Sequence, residues 1–386
     1  MNKVSEFLLK KSSNYDKIDR FVAFRIYEKY KKKLKIKPII HIIGTNGKGS
    51  TGRYLAQLLY QLGYKVGHYT SPHLFSFNER FYLNSKIVSD QKLEIAHQKL
   101  LNILKNDLEE LSYFEYATFL ATILFKECDY IIFEAGVGGE YDATSIFDKK
   151  LSVFTRIGFD HKELLGNTLK DIARTKLKVM AKKAIITKKQ EKEVLDLSKH
   201  IAYIKKSKLY YSDSLNNILK KQFENYVMKY QLPDFLKHNL DLALNTCILL
   251  EGKKRTSMAF EKLKALNLLG RCQKINSKLY VDVGHNQMAA KALYERFQNT
   301  KIDLIYNSYL DKDIFEILKT LKPIIDTIKI YKYEDKYREL ANNRIFFIAK
   351  ELNIKCEDFQ GLNANRISLV FGSFVLVEKF LKELCE

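Results

Sequence analysis

Short apolar runs punctuate the chain at Ile39–Ile43, Tyr130–Phe133, Leu151–Thr155, Ala184–Thr187, Tyr280–Val281 and Ile302–Tyr306. Turn residues bound each run, β-branched and aromatic side chains dominate them, and none is long enough for a helix, so each predicts a buried strand. Between them apolar residues recur at helical spacing, as in Tyr116–Phe125 and Ile172–Met180. Buried strands alternating with helices predict an α/β fold built on a doubly wound, mostly parallel sheet, whose ligands lie at the carboxyl ends of the strands. Around Asp234–Leu249 the pattern becomes one long helix, and after Gly270-Arg271 a new strand–helix series begins. The expected division is a larger domain, 1–260, and a smaller C-terminal α/β domain of Rossmann type, 261–386. A length of 386 residues suits two or three domains.

The first run opens into Gly44-Thr45-Asn46-Gly47-Lys48-Gly49-Ser50-Thr51, and an amphipathic segment, Tyr54–Tyr60, follows at once. Strand, glycine loop and helix in that order build a phosphate cradle. Backbone N–H groups and the positive helix end face the anion, Lys48 reaches the phosphates, and a hydroxyl such as that of Ser50 can hold Mg²⁺. The spacing, Gly-x-x-Gly-Lys-Gly-Ser, differs from the Gly-x4-Gly-Lys-Ser/Thr of the commonest phosphate loop.

Three further constellations carry candidate chemistry. Glu134 ends an apolar strand, where a nucleotide-bound Mg²⁺ needs a hard oxygen ligand, and the glycines of Gly136-Val137-Gly138-Gly139 let backbone approach a ligand. Asp160-His161 follows the Leu151–Thr155 strand and precedes a helix with Asp171-Ile172-Ala173-Arg174-Thr175-Lys176. Asp282 and His285 stand just after the Tyr280-Val281 strand. Taken singly, a strand-end Glu can be an ion-pair partner, an Asp-His pair an ordinary loop, and the aromatics of Tyr113-Phe114-Glu115-Tyr116 core residues.

Composition narrows the class. Hydrophobic content of 46% with a mean hydropathy of −0.26 is ordinary for a soluble enzyme. The longest apolar runs are far shorter than the roughly 20 residues a membrane helix needs. The five cysteines are scattered, without a Cys-x-x-Cys pair, and read as reduced cytoplasmic thiols. A net charge of +21 invites an anionic partner. The lysines are spread, as in Lys182-Lys183 and Lys205-Lys206, without an Arg-rich arm or RNA-recognition signature. Solvated lysine faces account for most of this, with attraction of polyanionic small molecules a second account; nucleic acid and membrane are not expected partners.

The wording of the loop, Gly-Thr-Asn-Gly-Lys-Gly-Ser, resembles the ATP loop of the Mur ligase superfamily, in its folylpolyglutamate synthase / dihydrofolate synthase branch. Ser71-Pro72-His73-Leu74 with Phe77-Asn78-Glu79-Arg80-Phe81 is similar to that branch's second signature, and Glu134-x-Gly-x-Gly-Gly with Asp142-Ala143-Thr144 to its third. The resemblance spans about Gly44 to Phe374. It implies an ATP-dependent ligase that phosphorylates a folate-type carboxylate and joins L-glutamate to the acyl phosphate in an interdomain cleft. It implies ATP bound by Gly44 to Thr51, Arg271 and Asp282. One or two Mg²⁺ ions are implied at Ser50, Ser71, Glu134 and His161, with K⁺ a further candidate ion. Dihydropteroate or folate is implied near Asp19, Arg20, Phe114, Thr118 and Asp142, and glutamate near His285 and Ser373. Lys48, Lys176, His161 and His285 are the implied catalytic group, Lys176 as a lysine carboxylated by CO₂. Glu140 stands where relatives carry Arg, Thr175 for Glu, Leu177-Lys178 for Ala-Gly, and Leu242 for an Asn near adenine. A monomer is expected. A Mur-type ligase of another acid–amino acid pair, or a non-enzymatic nucleotide- or RNA-binding protein, remains an alternative.

Overall fold

The computed structural model describes residues 3–11, 19–213, 215–335 and 338–385. Ile18, beside the expected Asp19-Arg20 site, lies outside them. The chain divides into two compact units, residues 1–232 with 236–267 and residues 233–235 with 268–386.

Among the described residues the first unit holds eight strands: β1 (Ile39–Ile43), β2 (Val66–Tyr69), β3 (Phe81–Leu83), β4 (Lys86–Ile87), β5 (Tyr130–Glu134), β6 (Lys149–Phe154), β7 (Lys183–Ile186) and β8 (Lys208–Tyr211). Their order is β4-β3-β2-β5-β1-β6-β7-β8. All neighbours are parallel except the β2/β3 and β3/β4 pairs at one edge. β1 is central, and its alternating side chains feed both faces of the sheet. Ile39 joins Tyr69, Phe81 and Phe133 under the helices Val22–Leu34, Asp90–Leu104 and Tyr113–Leu124. Ile40 and Ile42 join the opposite core with Leu55, Leu58 and Leu59.

The helix after the phosphate loop, Lys48–Gln61, corrects one expectation. Every residue from Gly49 to Leu59 is buried, so the segment is not one-sided. Leu240, Leu244 and Phe260 of the long helix and Tyr226 of a neighbouring one share its core, so it has protein on both sides. That long helix runs Asp234–Glu261, beyond the expected Leu249, through a break at Gly252 (φ 81°, ψ 162°). The helix carrying Lys176 runs Leu169–Leu177 rather than Ile172–Met180. Thr168 sets its start by accepting from the Asp171 N–H at 3.1 Å.

The second unit holds β9 (Gln273–Lys274), β10 (Leu279–Asp282), β11 (Ile302–Tyr306), β12 (Ile325–Ile330), β13 (Lys355–Asp358) and β14 (Ile367–Phe371), ordered β13-β12-β11-β14-β10-β9. All pairs are parallel but β10/β9. Its core joins Leu304, Tyr306, Ile328 and Phe371 to helix residues such as Ile317, Leu321 and Ile345.

Candidate active site

The phosphate loop leaves the carboxyl end of β1 and is pinned from beside it. The N–H of Thr45 donates to Arg156 O at 2.9 Å, and the Thr45 hydroxyl to Gly158 O at 2.9 Å. Gly47 closes the loop with φ 87°, a region that favours glycine, and a Cβ there would sit 2.3 Å from Asn239 Oδ1. Asn239 therefore lies against the loop although nearly two hundred residues separate it in sequence.

Two lysine side chains converge on the loop. Lys48 Nζ donates to Gly44 O at 3.3 Å and Thr45 O at 3.1 Å, and Lys176 Nζ donates to Gly44 O at 3.1 Å. Lys48 also lies 4.0 Å from Glu134 Oε1. Register explains the Glu: Ile42 of β1 is the parallel partner of Glu134 at the end of β5. Glu134 Oε2 accepts from the Thr70 hydroxyl and from the Ser71 N–H at 3.4 Å. Lys176 is buried, and burial first, then the Lys48 charge, bring its pKa down to about 7. A lysine so placed is largely a neutral amine near pH 8.

For Mg²⁺ the donor chemistry fits. Ser50, 1% exposed, lies in the first helical turn, the Glu134 carboxylate ends the parallel neighbour of β1, and the Ser71 backbone touches Glu134. Among the described residues no group of three or more His, Cys, Asp or Glu side chains is placed to hold a metal alone. One carboxylate, a hydroxyl and substrate phosphates are the usual Mg²⁺ arrangement. His161 starts the short helix Lys162–Leu165 with φ 50°, 4.0 Å from Asp160 and 3.7 Å from Glu163.

The Gly136–Gly139 loop is held by Asp142. Its Oδ2 accepts from the N–H groups of Gly136 (2.8 Å) and Val137 (3.0 Å), and its Oδ1 from the Thr144 N–H (2.9 Å) and hydroxyl (2.5 Å). Burial raises the Asp142 pKa against these donors. The Thr144 proton goes to Asp142, so buried His41, 2.8 Å away, must donate from Nε2. Burial keeps His41 neutral. Of this relay from β1 to the loop, Asp142 was an expected site residue and Thr144 stood in its motif, whereas His41 was not selected; its sequence signal was a polar residue inside an apolar strand.

The folate-side candidates separate. Thr118 is fully buried, and its hydroxyl donates back to Phe114 O at 2.9 Å. Asp142 is likewise engaged in internal hydrogen bonds. Phe114 lies under the loop, where a Cβ on Gly136 would meet its ring at 2.8 Å. Asp19 accepts from the Phe21 N–H at 2.9 Å and pairs with Arg25 at 2.7 Å. The Arg20 guanidinium stands 5.7 Å from the Tyr141 ring, which meets the exposed Phe21 edge-on at 5.9 Å. Phe21 and Tyr141, unselected from sequence, thus form an exposed aromatic pair beside Arg20. Leu242 is buried in the apolar core.

The Ser71–Phe81 signature proves to be a clasp. Glu79 accepts from the N–H groups of Leu74, Phe75 and Ser76 at 2.8–3.0 Å, and Arg80 donates to His73 Nδ1 at 2.9 Å.

In the second unit the candidates gather at the carboxyl ends of β10 and β14, where Asp282 and Phe371 are register partners. Buried Asp282 accepts from the N–H groups of Cys272 and Gly284, both at 2.7 Å, and so holds the Gly270–Cys272 turn. The Arg271 guanidinium stands 5.1 Å from the Phe374 ring. Ser373, next to it, accepts from the Leu376 N–H at 3.0 Å and lies 3.3 Å from the Tyr333 hydroxyl. His285 Nδ1 is 3.3 Å from Val283 O.

Residues 42–240 match the Mur ligase middle domain. A dihydrofolate synthase/folylpolyglutamate synthase of Buchnera aphidicola is 32% identical over 367 residues, 89% of this chain and 88% of its own length. The crystal structure of Helicobacter pylori folylpolyglutamate synthetase superposes with a TM-score of 0.79 at 38% identity, covering 99% of this chain and 98% of that one. A Yersinia pestis folylpolyglutamate synthase/dihydrofolate synthase complexed with AMPPNP and Mn shares the fold at a TM-score of 0.80 and 24% identity. The chain belongs to the folylpolyglutamate synthase / dihydrofolate synthase branch of the Mur ligase superfamily, a family of ATP-dependent acid–amino acid ligases.

Proposed function

We propose that this ligase joins L-glutamate to dihydropteroate, to folates, or to both, with the phosphate loop as its ATP site. The observation that carries the assignment of parts is the convergence of Lys48 and Lys176 on Gly44 O, with Glu134 at the next strand end.

The acceptor carboxylate attacks the γ-phosphorus of ATP, ADP leaves, and an acyl phosphate forms. The α-amine of glutamate then attacks the acyl carbon, phosphate leaves, and the amine gives up a proton to yield the amide. No protein nucleophile is required. Lys48 neutralises phosphate charge, and backbone N–H groups of the loop orient it. Ser50, Glu134 and Ser71 would hold a Mg²⁺ ion, with His161 toward a second, and the metal would supply charge neutralisation at the transferred phosphoryl group. Lys176, as a carbamate, would place an anion beside those ions, and its lowered pKa supports this because CO₂ reacts with the neutral amine. Arg20, Phe21 and Tyr141 offer a flat aromatic ligand an edge to rest on, with Phe114 beneath the loop. Arg271 and Asp282 serve the nucleotide, and His285 and Ser373 the incoming glutamate. On this reading the protein works as a cytoplasmic monomer.

Purified protein with ATP, Mg²⁺ and labelled glutamate, offered dihydropteroate or tetrahydrofolate, tests the reading. The expected result is ADP release that needs both glutamate and one acceptor, with label in the amide. ADP release indifferent to either acceptor sinks it.

A further inference from the structure

The lysine pairs that lie apart in sequence at 149–150, 182–183 and 205–206 are gathered by the fold. β6, β7 and β8 are adjacent and parallel, and they begin at Lys149, Lys183 and Lys208. Lys183 and Lys208 are direct cross-strand partners, an arrangement of like charges that is unfavourable by itself. This rim lies at the amino ends of the strands, whereas the phosphate loop lies at the carboxyl end of β1 in the same parallel sheet.

A cleft of about 550 Å³ opens at the rim, lined among others by Lys149, Lys178, Lys182 and Lys205. Its two acidic lining residues are Asp148 and Glu140, and Glu140 is paired with Lys178 at 2.8 Å. The other ammonium groups are anchored on neutral carbonyls. Lys149 donates to Ser145 O (2.8 Å) and Phe147 O (3.2 Å), Lys182 to Lys205 O (3.0 Å), and Lys205 to Lys178 O (2.6 Å). Carbonyls fix these groups in place without cancelling their charge, and Lys182 and Lys205 each keep protons to donate. Burial first, then the Lys205 charge, bring Lys149 down to about 8, with Asp148 acting against them. The volume suits a small molecule, and like charge held in a partly enclosed space attracts anions.

We propose that this cleft is a second anion site, distinct from the phosphate loop, for a small molecule bearing two or more closely spaced oxyanions. Pyrophosphate esters and oligo-γ-glutamyl chains share that chemistry. None of the four lysines belongs to the catalytic assignment above, so the cleft's role is independent of it.

The test is calorimetric titration of the full chain with the phosphate loop filled by saturating AMPPNP and Mg²⁺. Inorganic pyrophosphate is the titrant in one arm and γ-linked triglutamate in the other. Saturable one-to-one binding is expected in at least one arm, and the arm that binds identifies the phosphate or carboxylate source. K182A/K205A should weaken it about tenfold, K182R/K205R should retain it, and kcat/KM for ATP should stay within about twofold in both. No binding of either probe overturns the proposal. So does binding that the alanine pair leaves unchanged, or retention of nucleic acid alone. Because the readout is binding, it reports on the cleft even in a chain without ligase activity.

Discussion

Lys48 and Lys176 share one carbonyl oxygen, and the two differ in what surrounds them. Lys48 reaches toward Glu134, while Lys176 is wholly enclosed with a like charge beside it. Lys48→Ala should therefore keep the fold, with an unchanged melting temperature, and lower kcat by about 10³, since it removes charge from the transferred phosphate; near-normal turnover would reject the ATP-site assignment. For Lys176 the expected dependence is on pH and CO₂. Activity should rise as pH passes through about 7, where the amine loses its proton. It should fall in CO₂-free buffer and recover with bicarbonate. Lys176→Arg keeps a long basic side chain and cannot form a carbamate, so most of the activity surviving it would exclude the modification. The stability sign is also set: the folded pKa lies below the 10.5 of the unfolded chain, so the unfolded state binds more protons between the two values. This residue's contribution to stability therefore increases with pH across that window.

At the scale of elements, the site depends on a loop pressed against a helix. A Cβ at Gly139 would stand 2.7 Å from Thr175 O and 3.0 Å from Lys176 Cα, and backbone cannot swing aside as a side chain can. Gly139→Ala should push the Leu169–Leu177 helix away, costing about 1–3 kcal/mol and lowering kcat more than KM. Chemical denaturation beside steady-state kinetics checks both, and a fully active, equally stable variant would show that the contact is not tight. The start of the same helix gives a milder case. Thr168→Ala removes the cap on Asp171 N–H and should cost about 0.5–2 kcal/mol, read as a lower denaturation midpoint. Leu242 supplies the contrast. It is 1% exposed in the apolar core, so Leu242→Asn, the residue that the family resemblance leads one to expect there, should destabilise by about 2–4 kcal/mol without tightening nucleotide binding. Tighter ADP binding by that variant would show that the position faces the ligand.

Across the whole molecule, each unit carries its own cluster at the carboxyl ends of parallel strands. The first has the loop, Glu134 and Lys176, and the second has Arg271, Asp282 and Ser373. If both serve one ATP, Arg271→Ala should raise the KM for ATP about tenfold although it lies in the other unit from Lys48. An unchanged KM would confine nucleotide binding to the first unit. Chelation of Mg²⁺ should abolish ADP release while leaving the melting temperature of the unliganded protein as it was, because the donor set needs phosphate oxygens to complete it.

What the sequence determined by itself follows from local physics. Periodicity in apolar residues marked β1, β5, β6, β7, β10 and β11, because a buried strand needs β-branched side chains on both faces. Glycine spacing beside a lysine marked the phosphate loop, and the ordered motifs marked the ligase family. Tertiary structure decided what depends on contacts between distant residues. It chose the strand order that sets Glu134 beside the loop and turned the helix Lys48–Gln61 from amphipathic to enclosed. It occupied Asp142 and Thr118 with internal hydrogen bonds, brought Tyr141 to Arg20, and placed Asn239 against Gly47. It also joined lysines that read as scattered solvent contacts into one basic rim. Desolvation and charge proximity are properties of a place in the fold, so the lowered pKa of Lys176 could not be read along the chain.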